Sequence, residues 1–173
     1  MSLNGKIAAK DGSVDWLDSI PNPDKTDYGY EEMYGSIGST IQGYATYQQI
    51  LDWGIEFPYK GKANYVLTRK EGLANTEDVT FVSNNHISFI QNLKEESQHD
   101  IWLIGGGQIN TLLFNAGLVD EIQVFVMPIV LSGGIELFEA IPDETHLILK
   151  GSKTYSSGVV ELLYHIDSSN TKA

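Results

Sequence analysis

The sequence IWLIGGGQINTLLFNAGLVDEI, residues 101–122, carries the pattern that decides the fold. An apolar run typical of a buried strand ends in Gly105, Gly106 and Gly107, and a helical pattern begins at once. Glycine loses more backbone entropy on folding than any other residue, so three in succession are costly. A bare strand-to-helix turn suits a phosphate, because backbone N–H groups and the helix dipole come close to the ligand. A tight turn that binds nothing is the alternative interpretation.

Strand and helix patterns alternate before and through this stretch. Strands are predicted at residues 39–43, 64–68, 79–83 and 101–105, and helices at 28–37, 46–53, 86–97 and 107–117. The apolar positions assigned to helix faces are Tyr30, Met33, Tyr34 and Ile37, then Tyr47, Ile50 and Leu51, and finally Ile109, Leu112, Leu113 and Ala116. Gly117 stands where a glycine is expected to end the last helix.

Only strand patterns follow in the C-terminal part of the chain. A long strand is predicted at residues 121–131, and an antiparallel pair at 145–155 and 158–166. This order predicts an α/β fold in a single domain over residues 1–173, with three layers, a mostly parallel mixed sheet and a C-terminal antiparallel hairpin. Ligands of such sheets bind beyond the carboxyl ends of the strands, where the triple glycine lies.

Composition favours a small-molecule ligand over a macromolecular one. The net charge of −12 and the pI near 4.5 disfavour binding to nucleic acid or to an anionic membrane. No apolar run approaches the length of a membrane span. The chain has no cysteine, so disulfides and thiolate metal sites are excluded, and a reducing cytoplasm is the simplest setting. The four histidines lack metal-ligand spacing, and no metal site is expected.

Two common phosphate-binding motifs do not match the glycine turn. The P-loop requires Gly-Lys-Ser/Thr, whereas Gly107 is followed by Gln108. The dinucleotide fingerprint G-x-G-x-x-G requires glycine where Asn110 stands, and it normally opens the first βα unit of its domain. The turn therefore belongs to neither class.

Three segments resemble dihydrofolate reductase-like proteins, in the order in which that family carries them. They are MSLNGKIAAKDGSVDWL, GYATY and IGGGQINTLLFNAGLVDEIQVFVMPIVLSGGIELF. The resemblance spans nearly the whole chain and is strongest to the branch containing the reductase domain of bacterial riboflavin biosynthesis. It implies NADPH-dependent hydride transfer to a flat nitrogen heterocycle, either an aminopyrimidine ribosyl phosphate or a pterin, without metal or flavin.

The resemblance assigns residues at two turns to the cofactor NADPH. The turn that would hold the pyrophosphate and the nicotinamide side comprises Gly105, Gly106, Gly107, Gln108 and Ile109. Gly43 and Thr46, within GYATY, match a second phosphate-facing turn at a helix start. Relatives have a cis glycine pair in the first turn, and we expect a cis bond between Gly105 and Gly106.

Other residues are assigned through the same resemblance. Ile7 and Ala8 match the backbone that lines the nicotinamide, and Trp16 matches a mobile loop over the ring. Thr68 and Arg69 match residues beside the adenosine ribose. Relatives have strand residues before the SLNG turn, so the first strand is expected to be truncated or the start site misassigned.

Tyr44 departs from the pattern of the family. Many relatives have arginine there, in contact with the cofactor phosphates. Tyrosine offers one hydroxyl and no charge, so the bidentate contact is lost. Arg69 and Lys70 could supply cations instead, and NADPH is still expected to bind in preference to NADH.

Asp27 is the candidate proton donor. It precedes Gly43 by the interval seen between the pterin-binding carboxylate and the corresponding glycine in dihydrofolate reductases. The alternative is a helix cap, because Asp27 opens a helical pattern and aspartate is a preferred N-cap.

The leading hypothesis is a reductase similar to 5-amino-6-(5-phosphoribosylamino)uracil reductase. The alternatives are dihydrofolate reductase itself and a non-catalytic nucleotide-binding protein of the same fold. A homodimer is expected, because relatives form one and the strand predicted at 121–131 is unusually long.

Overall fold

The computed structural model describes residues 1–167, and they fall into two compact units. One unit is Asp27–Leu112, and the other combines Met1–Thr26 with the chain from Leu113 onward. The elements in chain order are β1 (Lys6–Ala8), a 3₁₀ helix (Asp15–Ser19), α1 (Tyr30–Ser36), β2 (Ile37–Gly43), α2 (Tyr44–Asp52), β3 (Ala63–Leu67), β4 (Val79–Val82), α3 (His86–Glu96), β5 (Asp100–Gly105), α4 (Gly107–Asn115), β6 (Glu121–Val126), β7 (Ile135–Glu136), β8 (Leu147–Thr154) and β9 (Val160–Ile166). The single-domain organisation stays a prediction.

The unit Asp27–Leu112 is built on a parallel sheet with strand order β4-β3-β2-β5. In register, Gln42 of β2 lies between Val66 of β3 and Gly105 of β5. The carboxyl ends of β2 and β5 are therefore neighbours. The predicted parallel sheet is confirmed, and so is the position of the glycine turn at a strand end.

Helices cover both faces of this sheet. Neighbouring residues of a strand point to opposite faces. Val66 belongs to a buried cluster with Tyr47 of α2, whereas the ring of Tyr65 lies 5.1 Å, centroid to centroid, from that of Phe89 in α3. The α2 and α3 helices thus pack on opposite sides, which gives this unit three layers.

The other unit contains the antiparallel elements. Strand β1 pairs with β7, and a three-stranded sheet has the order β6-β9-β8. The predicted C-terminal hairpin is confirmed as β8 and β9. Gly117 ends α4 in the left-handed conformation with φ 67°, and the Leu118 N–H donates to the Leu113 carbonyl at 3.0 Å. The predicted glycine stop is therefore confirmed.

Four details of the predicted elements are wrong. Ile37 does not continue the first helix but begins β2 and is 5% exposed, because a β-branched residue also suits a buried strand. Strand β6 ends at Val126, shortly before Pro128, which has no N–H to donate. Leu51, predicted to point inward, is 44% exposed, and Leu112, assigned to the apolar face of its helix, is 37% exposed.

No helix within residues 1–167 is both long enough and apolar enough to cross a bilayer.

Candidate functional site

The triple glycine forms the turn from β5 into α4. The peptide bond between Gly105 and Gly106 is cis, as expected from the resemblance. Gly105 has φ 116°, a conformation that side chains rarely adopt, and a Cβ there would lie 3.4 Å from Asn110 Oδ1. Gly107 is the first residue of α4. The N–H groups of Ile109 and Asn110 both donate to the Gly106 carbonyl at 3.0 Å, so the donors that the start of α4 offers at this strand end are the preceding N–H groups of Gly107 and Gln108.

A second helix start lies against the glycine turn. Gly43 ends β2 in extended conformation, and α2 begins at the next residue. A Cβ on Gly43 would lie 2.9 Å from Cγ1 of Ile109 in α4. A Cβ on Gly106 would lie 3.4 Å from the Thr46 hydroxyl in the first turn of α2. The structure thus brings together the two turns that the sequence assigned separately, with two helix N-termini side by side.

Gly43, Gly105 and Gly106 lack a side chain for different reasons. Gly43 is required by its approach to Ile109, and Gly105 by its positive φ. Gly106 has neither reason, because its φ lies outside the left-handed region and only the Thr46 hydroxyl lies within ordinary contact distance. An alanine would fit there within the described chain. Packing within the described chain therefore does not by itself require glycine at position 106.

Thr68 and Arg69 follow the carboxyl end of β3. Thr68 is 5% exposed, and its N–H donates to the Val82 carbonyl at 3.0 Å. His86 Nε2 lies 3.0 Å from both the Thr68 and the Val82 carbonyl oxygens. Because carbonyls only accept, Nε2 carries the proton. Thr68 is therefore held from two sides, while Arg69 is exposed.

Tyr44 is the first residue of α2 and carries a cation on its ring. The Lys70 Nζ lies 4.1 Å from the centre of the Tyr44 ring. The ring itself packs against Tyr47 and Phe81, at centroid distances of 6.2 and 6.3 Å. A positive charge therefore lies next to the start of α2 although the sequence has no arginine in GYATY.

The N-terminal candidates belong to the other compact unit. Ile7 and Ala8 lie in β1. Gly134 approaches this strand so closely that a Cβ on Gly134 would lie 2.1 Å from the Ala8 carbonyl oxygen. Trp16 lies in the 3₁₀ helix, and its indole N–H is buried without a hydrogen-bond partner within residues 1–167. Lys6 pairs with Glu136.

The Asp27 carboxylate lies at the start of α1. Its two carboxylate oxygens accept hydrogen bonds from the N–H groups of Gly29 and Glu31, each at 3.0 Å. Its carbonyl also accepts from the Tyr30 N–H at 3.0 Å. Gly29 and not Asp27 stands at the N-cap position of α1, so the predicted position of the cap is wrong, but the Asp27 carboxylate does bind the N–H groups at the start of the helix.

Two neighbours of the site were not assigned from the sequence. His86 looked like one of four scattered histidines, and its contact with Thr68 depends on the pairing of β3 with β4. Gln42 is fully buried beside Gly105, and its side-chain amide has no partner within the described residues. A glutamine in an otherwise apolar strand end was the available signal. Among residues 1–167 no group of three or more metal-ligating side chains is present.

Two proteins of Bacillus subtilis (strain 168) resemble this chain along most of its length. YwjB is 36% identical over 92% of this chain and 90% of its own. YyaP is 30% identical over 95% of this chain and 90% of its own. Both are described as uncharacterized proteins, so they establish kinship without an activity.

Solved structures agree with the fold. A candidate riboflavin biosynthesis protein of Shewanella sp. PV-4 superimposes with a TM-score of 0.86 and 26% identity, over 96% of this chain and 95% of that one. The Thermotoga maritima diaminohydroxyphosphoribosylaminopyrimidine deaminase/5-amino-6-(5-phosphoribosylamino)uracil reductase superimposes with a TM-score of 0.68 and 14% identity, over 96% of this chain and 54% of that one. Enterococcus faecalis dihydrofolate reductase, complexed with NADP(H) and RAB-propyl, superimposes with a TM-score of 0.68 and 15% identity, over 97% of this chain and 93% of that one.

The last two likenesses establish the fold, which is that of dihydrofolate reductase and of the riboflavin-pathway reductases. A sequence profile described as the RibD C-terminal domain matches residues 62–161. This match covers more than half of the chain and runs from β3 through the glycine turn to β8 and the first residues of β9. The chain therefore belongs to the RibD C-terminal domain family.

Proposed function

We propose that this protein is an NADPH-dependent reductase whose substrate is an aminopyrimidine ribosyl phosphate or a closely similar heterocycle. The observation that carries the proposal is the junction of two helix N-termini at a turn with a bare Gly106. Each helix start contributes N–H donors and the positive end of a dipole, which favours an anion. Such a site suits the pyrophosphate of a dinucleotide in a chain with net charge −12.

The residues around this junction fit the cofactor. Thr46 has a hydroxyl beside Gly106 that can donate to a phosphate oxygen, and Gly106 lets the phosphate approach the backbone. Thr68 and Arg69 follow the end of β3, and in this proposal they would lie beside the adenosine ribose. When bound, the nicotinamide supplies the hydride. The protein's share of the chemistry is to hold the two rings in contact and to exclude water.

The substrate class rests on kinship. The Thermotoga protein named above is a deaminase that is also a 5-amino-6-(5-phosphoribosylamino)uracil reductase, and the chain belongs to the RibD C-terminal domain family. Dihydrofolate is the competing substrate, because dihydrofolate reductase shares the fold. A protein that binds NADPH and reduces neither compound would be the non-catalytic alternative.

Gly106→Ala tests the binding site. Alanine has room within the chain, so the melting temperature should stay close to that of the wild type, while the affinity for NADPH should fall at least about tenfold, or 1.4 kcal/mol. Thr46→Val, which keeps the side-chain shape and removes the hydroxyl, should also weaken binding. Fluorescence titration and thermal melting measure both quantities. Undiminished NADPH affinity in both variants would refute the assignment.

Turnover tests the reaction. Purified protein saturated with NADPH is mixed with the aminopyrimidine ribosyl phosphate or with dihydrofolate, and the loss of the nicotinamide absorbance band is followed. We expect oxidation with the aminopyrimidine at a rate that exceeds the rate with dihydrofolate. Faster reaction with dihydrofolate would make the protein a dihydrofolate reductase, and binding without reaction would leave only the non-catalytic alternative.

A further inference from the structure

We infer that Lys70, held on the ring of Tyr44, is the cation that recognises the ribose phosphate of NADPH and thereby sets the preference over NADH. The inference rests on the proposed function, since it assigns a specificity-determining residue within that site. It concerns a feature of this chain rather than of its family, because the position of Tyr44 is one where many relatives have arginine.

The ring of Tyr44 is a fixed platform. It lies at the first position of α2, directly after Gly43, and packs against Tyr47 and Phe81 on the sheet. Tyr47 is 7% exposed, so its side of the platform belongs to the core. A platform of this kind restricts where a cation on its other face can lie.

The backbone that carries Lys70 is fixed as well. The Lys70 N–H donates to the Thr68 hydroxyl at 3.0 Å. Thr68 is in turn bonded to the Val82 carbonyl through its N–H and to His86 through its own carbonyl. Lysine has a flexible four-carbon side chain, and ordering it normally costs entropy. Anchoring both its backbone and its ammonium group in the free protein reduces the cost of ordering it on binding.

The charge of Lys70 is not neutralised by a carboxylate. Among the ion pairs within residues 1–167, lysines 6 and 60 contact glutamates, whereas the Lys70 ammonium contacts the Tyr44 ring. A ring face attracts a cation without cancelling its formal charge. In an acidic chain this leaves an ammonium group that can donate charge-assisted hydrogen bonds to a phosphate.

The location selects the ribose phosphate over the pyrophosphate. In the proposed site the glycine turn and Thr46 hold the pyrophosphate, whereas Lys70 directly follows Thr68 and Arg69, the pair that the resemblance assigns to the adenosine ribose. The Lys70–Tyr44 pair thus restores, from the end of β3, the cation that arginine supplies from the start of α2 in relatives.

Five variants and one control separate this role from general electrostatics. Lys70→Met removes the charge and keeps much of the chain length. Tyr44→Phe keeps the ring, whereas Tyr44→Leu removes it, alone and combined with Lys70→Met. Tyr44→Arg combined with Lys70→Met places a cation at the position where relatives have one. Lys150→Met, on exposed strand β8, makes the same change in net charge elsewhere.

Dissociation constants for NADPH and NADH are measured by fluorescence titration, with thermal melting as the check on folding. Lys70→Met should lower the ratio of NADPH to NADH affinity about tenfold, as expected for one lost charge-assisted hydrogen bond, with NADH unchanged. Tyr44→Leu should lower the ratio similarly and add nothing to Lys70→Met. Tyr44→Phe and Lys150→Met should retain the wild-type ratio, and the double variant Tyr44→Arg/Lys70→Met should recover it.

An unchanged ratio in Lys70→Met, or an equal loss for NADPH and NADH, would overturn the assignment while the proposed function stands. Failure of the wild-type protein to bind either dinucleotide would overturn the proposed function itself. Retention of the ratio in Tyr44→Leu would show that Lys70 acts without the ring, and the pair as the determinant would be refuted.

Discussion

Gly43→Ala tests the contact on which the candidate site depends. The added Cβ would lie 2.9 Å from Ile109 Cγ1 and 3.8 Å from the Gly105 carbonyl oxygen. Cγ1 is close to the backbone of α4, so it cannot move away as the end of a long side chain could. Such overpacking costs about 1–3 kcal/mol, and the lower entropy of the unfolded alanine chain returns about 0.4–1 kcal/mol.

The expected net loss is roughly 1.5 kcal/mol, which corresponds to a fall in melting temperature of about 3–6 °C for a chain of this size. Calorimetry or denaturant unfolding measures it. In an Ile109→Ala background the clash is absent, so Gly43→Ala should become neutral or slightly stabilising. Gly35→Ala, within helix α1 and with open space around its Cβ position, is the matched control and should raise stability. Equal losses from Gly43→Ala in both backgrounds would refute the contact between the two helix starts.

Two further predictions concern other parts of the molecule. Burial, together with the nearby phenol groups of Tyr30 and Tyr34, raises the pKa of Tyr59 to about 12. Since the unfolded tyrosine ionises near pH 10, this contribution to stability is complete below about pH 10 and is lost as the pH rises towards 12. Tyr59→Phe should reduce that alkaline loss, and an unchanged pH profile in unfolding experiments would contradict it. We also propose a homodimer formed through β8, which is one of the two edge strands of the sheet β6-β9-β8 and exposes Leu147, Ile148 and Leu149. Ile148→Lys should shift the mass in light scattering from dimer to monomer, whereas a monomeric wild type at micromolar concentration would refute the dimer.

The parallel sheet was predictable because its signals are local. A buried strand gives an apolar run, and a glycine turn followed by apolar residues at helical spacing marks the passage into α4. Both patterns survive in the structure at residues 101–105 and Gly107–Asn115. The resemblance added the cis bond between Gly105 and Gly106, which no periodicity could have indicated.

Errors arose where an apolar residue fits two environments. Ile37 continues the helical spacing of Tyr30, Met33 and Tyr34, yet it starts β2, since periodicity alone does not say where a strand takes over. Residues 127–131 are apolar enough for a strand, but Pro128 interrupts the hydrogen-bond ladder. The length of the predicted strand therefore no longer supports a dimer, and the proposed homodimer rests on the exposed edge strand β8 instead.

The sequence allowed the residues of the candidate site to be assigned one by one, but it did not show how they are arranged. Gly43 and Gly106 are far apart in the sequence, and only the adjacency of β2 and β5 places their turns together. The role of Lys70 depends on a further adjacency, that of β3 and the start of α2. The absence of arginine at position 44 was visible in the sequence. Lys70, which we propose compensates for it, could be identified only through its tertiary contact with the Tyr44 ring.

Asp27 remains the residue for which sequence and structure suggest different roles. Both of its carboxylate oxygens accept backbone N–H groups at the start of α1, which is the geometry of a cap. Asp27→Ala should therefore cost about 1 kcal/mol of stability, and Asp27→Asn part of that, because asparagine keeps one acceptor oxygen in place of the two that Asp27 uses. A proton donor must lose its function in both variants, whereas a cap residue loses little in Asp27→Asn. We expect Asp27→Asn to keep most of the NADPH oxidation rate measured with the aminopyrimidine substrate. If turnover instead collapsed in Asp27→Asn while the melting temperature and the affinity for NADPH stayed unchanged, the carboxylate would be the proton donor and the cap its secondary role.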